Sequence, residues 1–215
     1  MTTQPENQKV SSYIIQSQEQ EIKRIALELH EGVGQSLYSL FTGLQFIEKA
    51  VKEPEMKSYM GNMTNIMEKT IQEIRLLSVE LHPPTLTTLG IVPAVKSYLK
   101  LYTSTYGIEV TVDHCGDEVP LTERENIALF RVCQEALVNI ARYADTSSAS
   151  VIFIWDKDLL SITIKDSGKG FDVEAGMEKS CGLAAMKERM KLIGGKCSIA
   201  SNTGEGTAIE VLLPL

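Results

Sequence analysis

Between Ser12 and about Lys52 the apolar residues Ile22, Ile25, Leu29, Val33, Leu37, Leu40, Leu44, Ile47 and Val51 recur at intervals of three and four. That period lays one apolar stripe along an α-helix. Pro54 breaks the run. Met60, Met63, Met67, Thr70, Ile74, Leu77 and Leu81 then form a heptad-like seam with one polar exception, which "HPP" stops. Two helices with one narrow stripe each cannot enclose a core, so the hairpin is expected to pair with a second copy as a four-helix bundle. The methionines in the seam read as adaptable packing.

The pattern changes after Pro93. "IEVTVD" alternates as a strand does, and "ASVIFIWDKDLLSITIKDSG" predicts two strands turning around Asp156–Asp158. "CSIASNTGEGTAIEVLLP" predicts a second hairpin with a glycine-containing turn. Helices are predicted at about 91–106, 121–143 and 183–193. Strands and helices in this order predict an α+β sandwich with the helices on one face of the sheet. The expected organisation is a disordered leader over 1–12, a helical hairpin over 13–83, a linker over 84–92 and an α+β domain over 93–215.

Composition narrows the class. The 215 residues carry a net charge of −7, which disfavours direct nucleic-acid binding because that affinity comes from Lys and Arg on phosphates. No apolar run approaches the ~20 residues of a membrane-spanning helix, and no signal peptide opens the chain. The four cysteines, Cys115, Cys133, Cys181 and Cys197, never approach metal or dithiol spacing, so a reducing cytoplasm is the expected setting. Any membrane link would run through a sensor region outside this chain.

One of three histidines, His30, lies in "ALELHEGVGQSL", followed by Glu31 and by Gly32 and Gly34. Each glycine costs a helix interior ~1 kcal/mol relative to Ala, so something other than helix stability selects them. The ring is either a border histidine on an amphipathic helix or a reactive imidazole with a neighbouring carboxylate. In "ALFRVCQEALVNIARYAD", Glu135 and Asn139 share a helix face that Arg142 can join. Such oxygen donors suit Mg²⁺, and they equally suit a solvated helix surface. Asp166 ends a strand before Gly168 and Gly170, where a carboxylate can accept from an exocyclic amine or simply begin a turn. Gly182 precedes a helix whose N-terminus could receive phosphate oxygens, and Gly204 and Gly206 flank a tight turn.

Taken in order, "QEALVN", "DSGKGFD", "CGLAAMKERM" and "GEGT" resemble the N, G1, G2 and closing G/T motifs of the ATP-binding domain shared by histidine kinases, Hsp90, gyrase B and MutL. "RIALELHEGVGQSL" is similar to the phosphoacceptor box of sensor histidine kinases that work with NarL-type response regulators, and "LHPPTL" with "LGI" resembles their linker. The resemblance covers about residues 20–215. It implies a dimerising phosphoacceptor hairpin followed by a Bergerat-type ATP sandwich.

The resemblance also implies roles. His30 would attack the γ-phosphate of ATP, with Glu31 accepting a hydrogen bond from Nδ1–H, and the phosphoryl group would pass to an aspartate of the regulator. Gln35, in the family's acid-x-x-x-Gln pattern, would position a water for dephosphorylating that regulator. Asn139 would hold Mg²⁺ and Glu135 would assist at the phosphates, with Arg142 in contact with them. Asp166 would bind the adenine amine with support from Thr207, while Gly168, Gly170, Gly182 and Leu183 line the nucleotide and its lid. The chain departs from the pattern in Arg142-Tyr143, where the family has Lys-His, and in Ser180, where it has the first lid glycine. His82 replaces a usual basic residue and reads as structural. Ser180 and Tyr143 motivate another reading, a catalytically dead dimeric scaffold, and a second alternative is an ATPase or serine kinase of the same ATP-domain superfamily.

Overall fold

The computed structural model describes residues 4–179 and 181–215, and Ser180 lies outside the described residues. The chain divides between Pro83 and Pro84 into two compact units.

In the first unit α1 (Gln4–Leu27) continues through a π-helical turn (Glu28–Val33) into α2 (Gly34–Ala50), and α3 (Pro54–Leu81) returns. Val51 and Glu53 are extended, and Pro54 opens α3 where its missing N–H costs nothing. Residues 4–12 are helical backbone and not the expected unstructured leader. Pro5 falls in the first turn, and no glycine or proline interrupts the chain from Glu6 to Glu31.

Leu37 and Leu44 of α2 and Met60, Met67 and Ile74 of α3 hold their expected inward places, while the inward positions between them move one residue on. In α2 the shielded positions are Gly34, Leu37, Phe41, Leu44 and Glu48, while Val33, Leu40 and Ile47 are exposed. The π turn is the cause. The Gly34 amide bonds to the Leu29 carbonyl five residues back, and this wider turn advances every later residue around the axis. In α3 the inward line runs Met60, Thr64, Met67, Ile71 and Ile74, so Met63 and Leu77 face away. Buried Thr64 donates to the Glu48 carboxylate across the hairpin at 3.0 Å.

The second unit begins at Pro84. Leu86, Ile91 and Val92, expected in a linker, are buried in its core, carried by the short α4 (Thr85–Thr88) and by α5 (Ile91–Tyr106). β1 (Glu109–Cys115) is followed by α6 (Glu123–Asn139), which Thr122 and Glu125 start with a reciprocal capping box. A second π turn (Ile140–Ala144) extends α6 and ends at Asp145 in the left-handed region. Then come β2 (Ser148–Asp156), β3 (Leu159–Asp166), α7 (Val173–Lys179), α8 (Cys181–Leu192), β4 (Lys196–Asn202) and β5 (Gly206–Pro214). The five strands lie in the order β1-β2-β3-β5-β4, with only β1–β2 parallel.

Inward positions alternate along the strands: Val151, Phe153 and Trp155 on β2, Leu160, Ile162 and Ile164 on β3, Ile209, Val211 and Leu213 on β5. They pack in one core with α5, α6 and α8. Tyr102 of α5 donates its hydroxyl to the Leu137 carbonyl of α6 at 2.9 Å inside this layer. The alternation does not stop at the apolar residues: Asp166 and Thr207 continue it at one end of the sheet.

Candidate functional site

In the second unit a cavity of about 700 Å³ opens beside that end of the sheet. Glu135 and Asn139 of α6, Arg142 and Tyr143 of the π turn, Asp166, Gly170, Gly182, Leu183 and Thr207 all line it. Of the expected nucleotide residues only Gly168 is not among the lining. It sits directly behind, its amide donating to Asp166 Oδ1 at 2.8 Å.

Asp166 is the inward residue that ends β3 and is 3% exposed. It faces Ala149 on β2 and Thr207 on β5, so the three form one row across adjacent strands. Since directly opposed residues project on the same face, the Thr207 hydroxyl and the Asp166 carboxylate front the same space. The loop after Asp166 is clamped on both sides. Lys169 donates its amide to the Ala144 carbonyl at 2.8 Å and accepts from the Gly204 amide at 2.6 Å. Gly170 has φ 58°, and a Cβ there would strike the Asn202 carbonyl, so both conformation and space require glycine.

On the opposite wall the Asn139 amide nitrogen donates to Glu135 Oε1 at 3.4 Å. That use of the nitrogen leaves the amide oxygen available to the cavity. The first turn of α8 closes over this pair, and a Cβ at Gly182 would overlap the Glu135 carboxylate. A carboxylate at a helix N-terminus is electrostatically favourable, so the first turn of α8 stabilises the Glu135 charge. Leu183 is buried one residue on. Arg142 and Tyr143 are exposed at the rim, so one cation and one neutral phenol stand at the mouth of the cavity.

Lys169, Phe171 and Cys181 also line the cavity. All three lie inside motifs already quoted from the sequence, Lys169 and Phe171 in "DSGKGFD" and Cys181 in "CGLAAMKERM", although none was singled out there. Ser201 is a further addition: from β4 it accepts the Phe171 amide at 3.0 Å and meets the Thr207 hydroxyl at 3.0 Å. Only strand pairing exposes that link.

In the first unit His30 and Glu31 lie within the π turn, with Gln35 just beyond it, and all three are exposed. A Cβ at Gly32 would meet open space, whereas Gly34 is buried with Leu29 O at 3.3 Å from such an atom. An access role therefore suits Gly32 and not Gly34. His82 is buried.

An α+β sandwich with a carboxylate and a hydroxyl at one sheet end, an Asn-Glu pair opposite and a glycine-led helix over them is the architecture of an ATPase domain. Residues 124–215 match the model of the histidine kinase-, DNA gyrase B- and HSP90-like ATPases, and residues 21–86 match a second family model, that of a histidine kinase. The chain belongs to the two-component sensor histidine kinases. It is 31% identical over 213 residues to the signal transduction histidine-protein kinase/phosphatase DegS of Brevibacillus brevis, covering 98% of this chain and 55% of that protein. The chain thus spans about half the length of that curated relative. The fold is similar to the histidine kinase domain of the Erythrobacter litoralis EL346 blue-light activated histidine kinase, with a TM-score of 0.52 at 14% identity over 84% of this chain and 94% of that one. A second structure of that kinase gives 0.51 at 14% identity over 83% and 60%. Among the described residues no helix is long and apolar enough to cross a membrane.

Proposed function

We propose that the chain is a kinase core in which ATP bound in the second unit phosphorylates His30, and the phosphohistidine then passes its phosphoryl group to an aspartate of a NarL-type response regulator. The observation that carries the reading is the Asp166–Thr207 row facing the Glu135–Asn139 pair across one cavity, beside a chain whose only exposed histidine in a phosphoacceptor-like helix is His30. Asp166 accepts the adenine amine, and the glycines bring backbone close to the nucleotide. Attack by Nε2 requires the proton to stay on Nδ1. Glu31, by accepting that N–H, sets the tautomer and leaves the Nε2 lone pair free to attack. The reaction forms the Nε2–P bond and breaks the bond to the β,γ-bridging oxygen, which leaves with ADP.

The Asn139 amide oxygen and the Glu135 carboxylate, which accepts from the Asn139 amide nitrogen at 3.4 Å, are oxygen ligands that fit Mg²⁺ in a site that phosphate oxygens and water complete. Asn139 would hold the ion with Glu135 beside it, and the ion supplies neutralisation of phosphate charge. Arg142 adds a second positive group at the rim.

The exposed Leu40, Phe46, Ile47, Met63, Ile66 and Leu77 leave the hairpin with more apolar surface than a monomer hides, which supports pairing into a homodimeric four-helix bundle. Glu31 and Gln35, both exposed beside His30, support a phosphatase step on the docked regulator, with Gln35 holding the attacking water. The cytoplasm is the compartment that supplies ATP and such a regulator.

The deciding experiment is incubation with γ-labelled ATP and Mg²⁺. Label that survives base, is lost in acid and disappears in His30→Gln supports the reading. Bound nucleotide with no label on the wild type supports the scaffold instead, and acid-stable label supports a serine kinase.

A further inference from the structure

Ser201 extends the adenine row by one strand. Cross-strand pairing aligns Ala149, Asp166, Thr207 and Ser201 over β2, β3, β5 and β4. Ser201 does not line the cavity, yet its oxygen has three neighbours: the Phe171 amide at 3.0 Å, the Gly206 carbonyl at 2.8 Å and the Thr207 hydroxyl at 3.0 Å.

These neighbours leave one arrangement of protons. An amide N–H can only donate, so Phe171 occupies one lone pair of Ser201. A carbonyl can only accept, and two oxygens 2.8 Å apart without a proton between them repel, so the Ser201 proton points at Gly206. The contact with Thr207 must then be filled by the Thr207 proton, donated to the second lone pair of Ser201. With its single proton committed, Thr207 shows the cavity only lone pairs. Asp166 is acceptor-only when ionised, and one of its oxygens already takes the Gly168 amide.

We propose that Ser201 is a specificity-determining positioning residue: by holding the Thr207 proton it turns this wall of the cavity into acceptors alone, so that the site selects a 6-amino purine and rejects a 6-oxo purine. At position 6 adenine offers the two N–H donors of its amine. At the same position hypoxanthine offers only an oxygen, which two acceptors oppose, its proton being on N1. The effect comes from hydroxyl direction and not from shape, because Ser201 sits behind the wall. A site built to hydrogen-bond one edge discriminates most strongly when the wrong ligand leaves its buried polar groups unmatched.

The inference rests on the ATP site proposed above, and binding of ADP and inosine diphosphate to the full chain separates the two. Wild type is expected to prefer ADP strongly. In Ser201→Ala the Thr207 hydroxyl is free to turn and donate to a 6-oxo group, so the ADP preference should fall about tenfold, which equals ~1.4 kcal/mol. Ser201→Cys, similar in size but a weak acceptor, should move the ratio the same way, and Ser201→Thr, which keeps the hydroxyl, should restore it. In a Thr207→Val background, Ser201→Ala should leave the ratio unchanged. Equal weakening of both nucleotides in Ser201→Ala, with the ratio intact, overturns the proposal and leaves Ser201 a structural residue. Failure of wild type to bind ADP at all overturns the site reading itself.

Discussion

The Gly34 amide bonds to the Leu29 carbonyl, and this five-residue bond decides which side chains of the His30 helix face inward. Before it, Ala26 is buried on the stripe; after it, Gly34 takes the inward place that an uninterrupted α-helix would give to Val33. His30 stands inside the widened turn. Turns of this kind occur often at functional sites, where they offset side chains from the regular helical register.

Gly32 and Gly34 should therefore respond oppositely to alanine. Gly32 has open space around it, so Gly32→Ala should gain up to ~1 kcal/mol of helix stability. In Gly34→Ala the new Cβ would press within 3.3 Å of the carbonyl that accepts the π bond, and the thermal midpoint should fall. Circular dichroism melts of the two variants check this. A rise for Gly34→Ala would mean that the turn relaxes to regular α-helix without cost.

Asp166→Asn should weaken ADP binding by about 1–3 kcal/mol, roughly one to two decades. The amide must either turn a donor toward the adenine amine or give up its bond from the Gly168 amide. Calorimetric titration measures the loss, and wild-type affinity would remove Asp166 from the adenine contact.

Gln35→Ala should retain autophosphorylation of His30 and transfer to the regulator while losing dephosphorylation of the regulator. The side chain is exposed and holds no core contact, so the fold should be unaffected. Clearance of phosphoregulator at the wild-type rate would show that Gln35 positions no water.

The four thiols should separate by burial. Cys133 is pushed up to about 12 and Cys197 to about 11, both chiefly by burial, whereas Cys115 and Cys181 are exposed. The thiolate is the reactive form, so at pH 8 iodoacetamide should label Cys115 and Cys181 and spare the other two until urea is added. ADP should slow labelling of Cys181, which lines the cavity. The linkage has a definite sign. A raised thiol pKa contributes stability that is complete below the ordinary value near 8.5 and fades as pH climbs toward 12. Mass mapping of the labelled peptides reads the pattern.

Strand alternation and helix periodicity were enough to place β2, β3, α5 and the two hairpins, because a period of two or of 3.6 is written directly in which residues are apolar. α7 left no such mark. Its seven residues, "VEAGMEK", include a glycine and are too few to show a stripe. The linker reading of 84–92 missed because proline and glycine punctuation marks a turn in the chain, while burial of Leu86, Ile91 and Val92 depends on what packs over them.

By itself the sequence determined the order of elements, the acidic surface and the residues able to carry phosphate and nucleotide chemistry, since these follow from local pattern and side-chain type. Tertiary structure decided two other things. It set the register of the His30 helix, because a π turn inserts a residue that no local preference announces and that packing against α3 must select. It also assembled Asp166, Thr207 and Ser201 into one row, since register between strands belongs to their pairing and the proton direction in that row belongs to the hydrogen bonds around it.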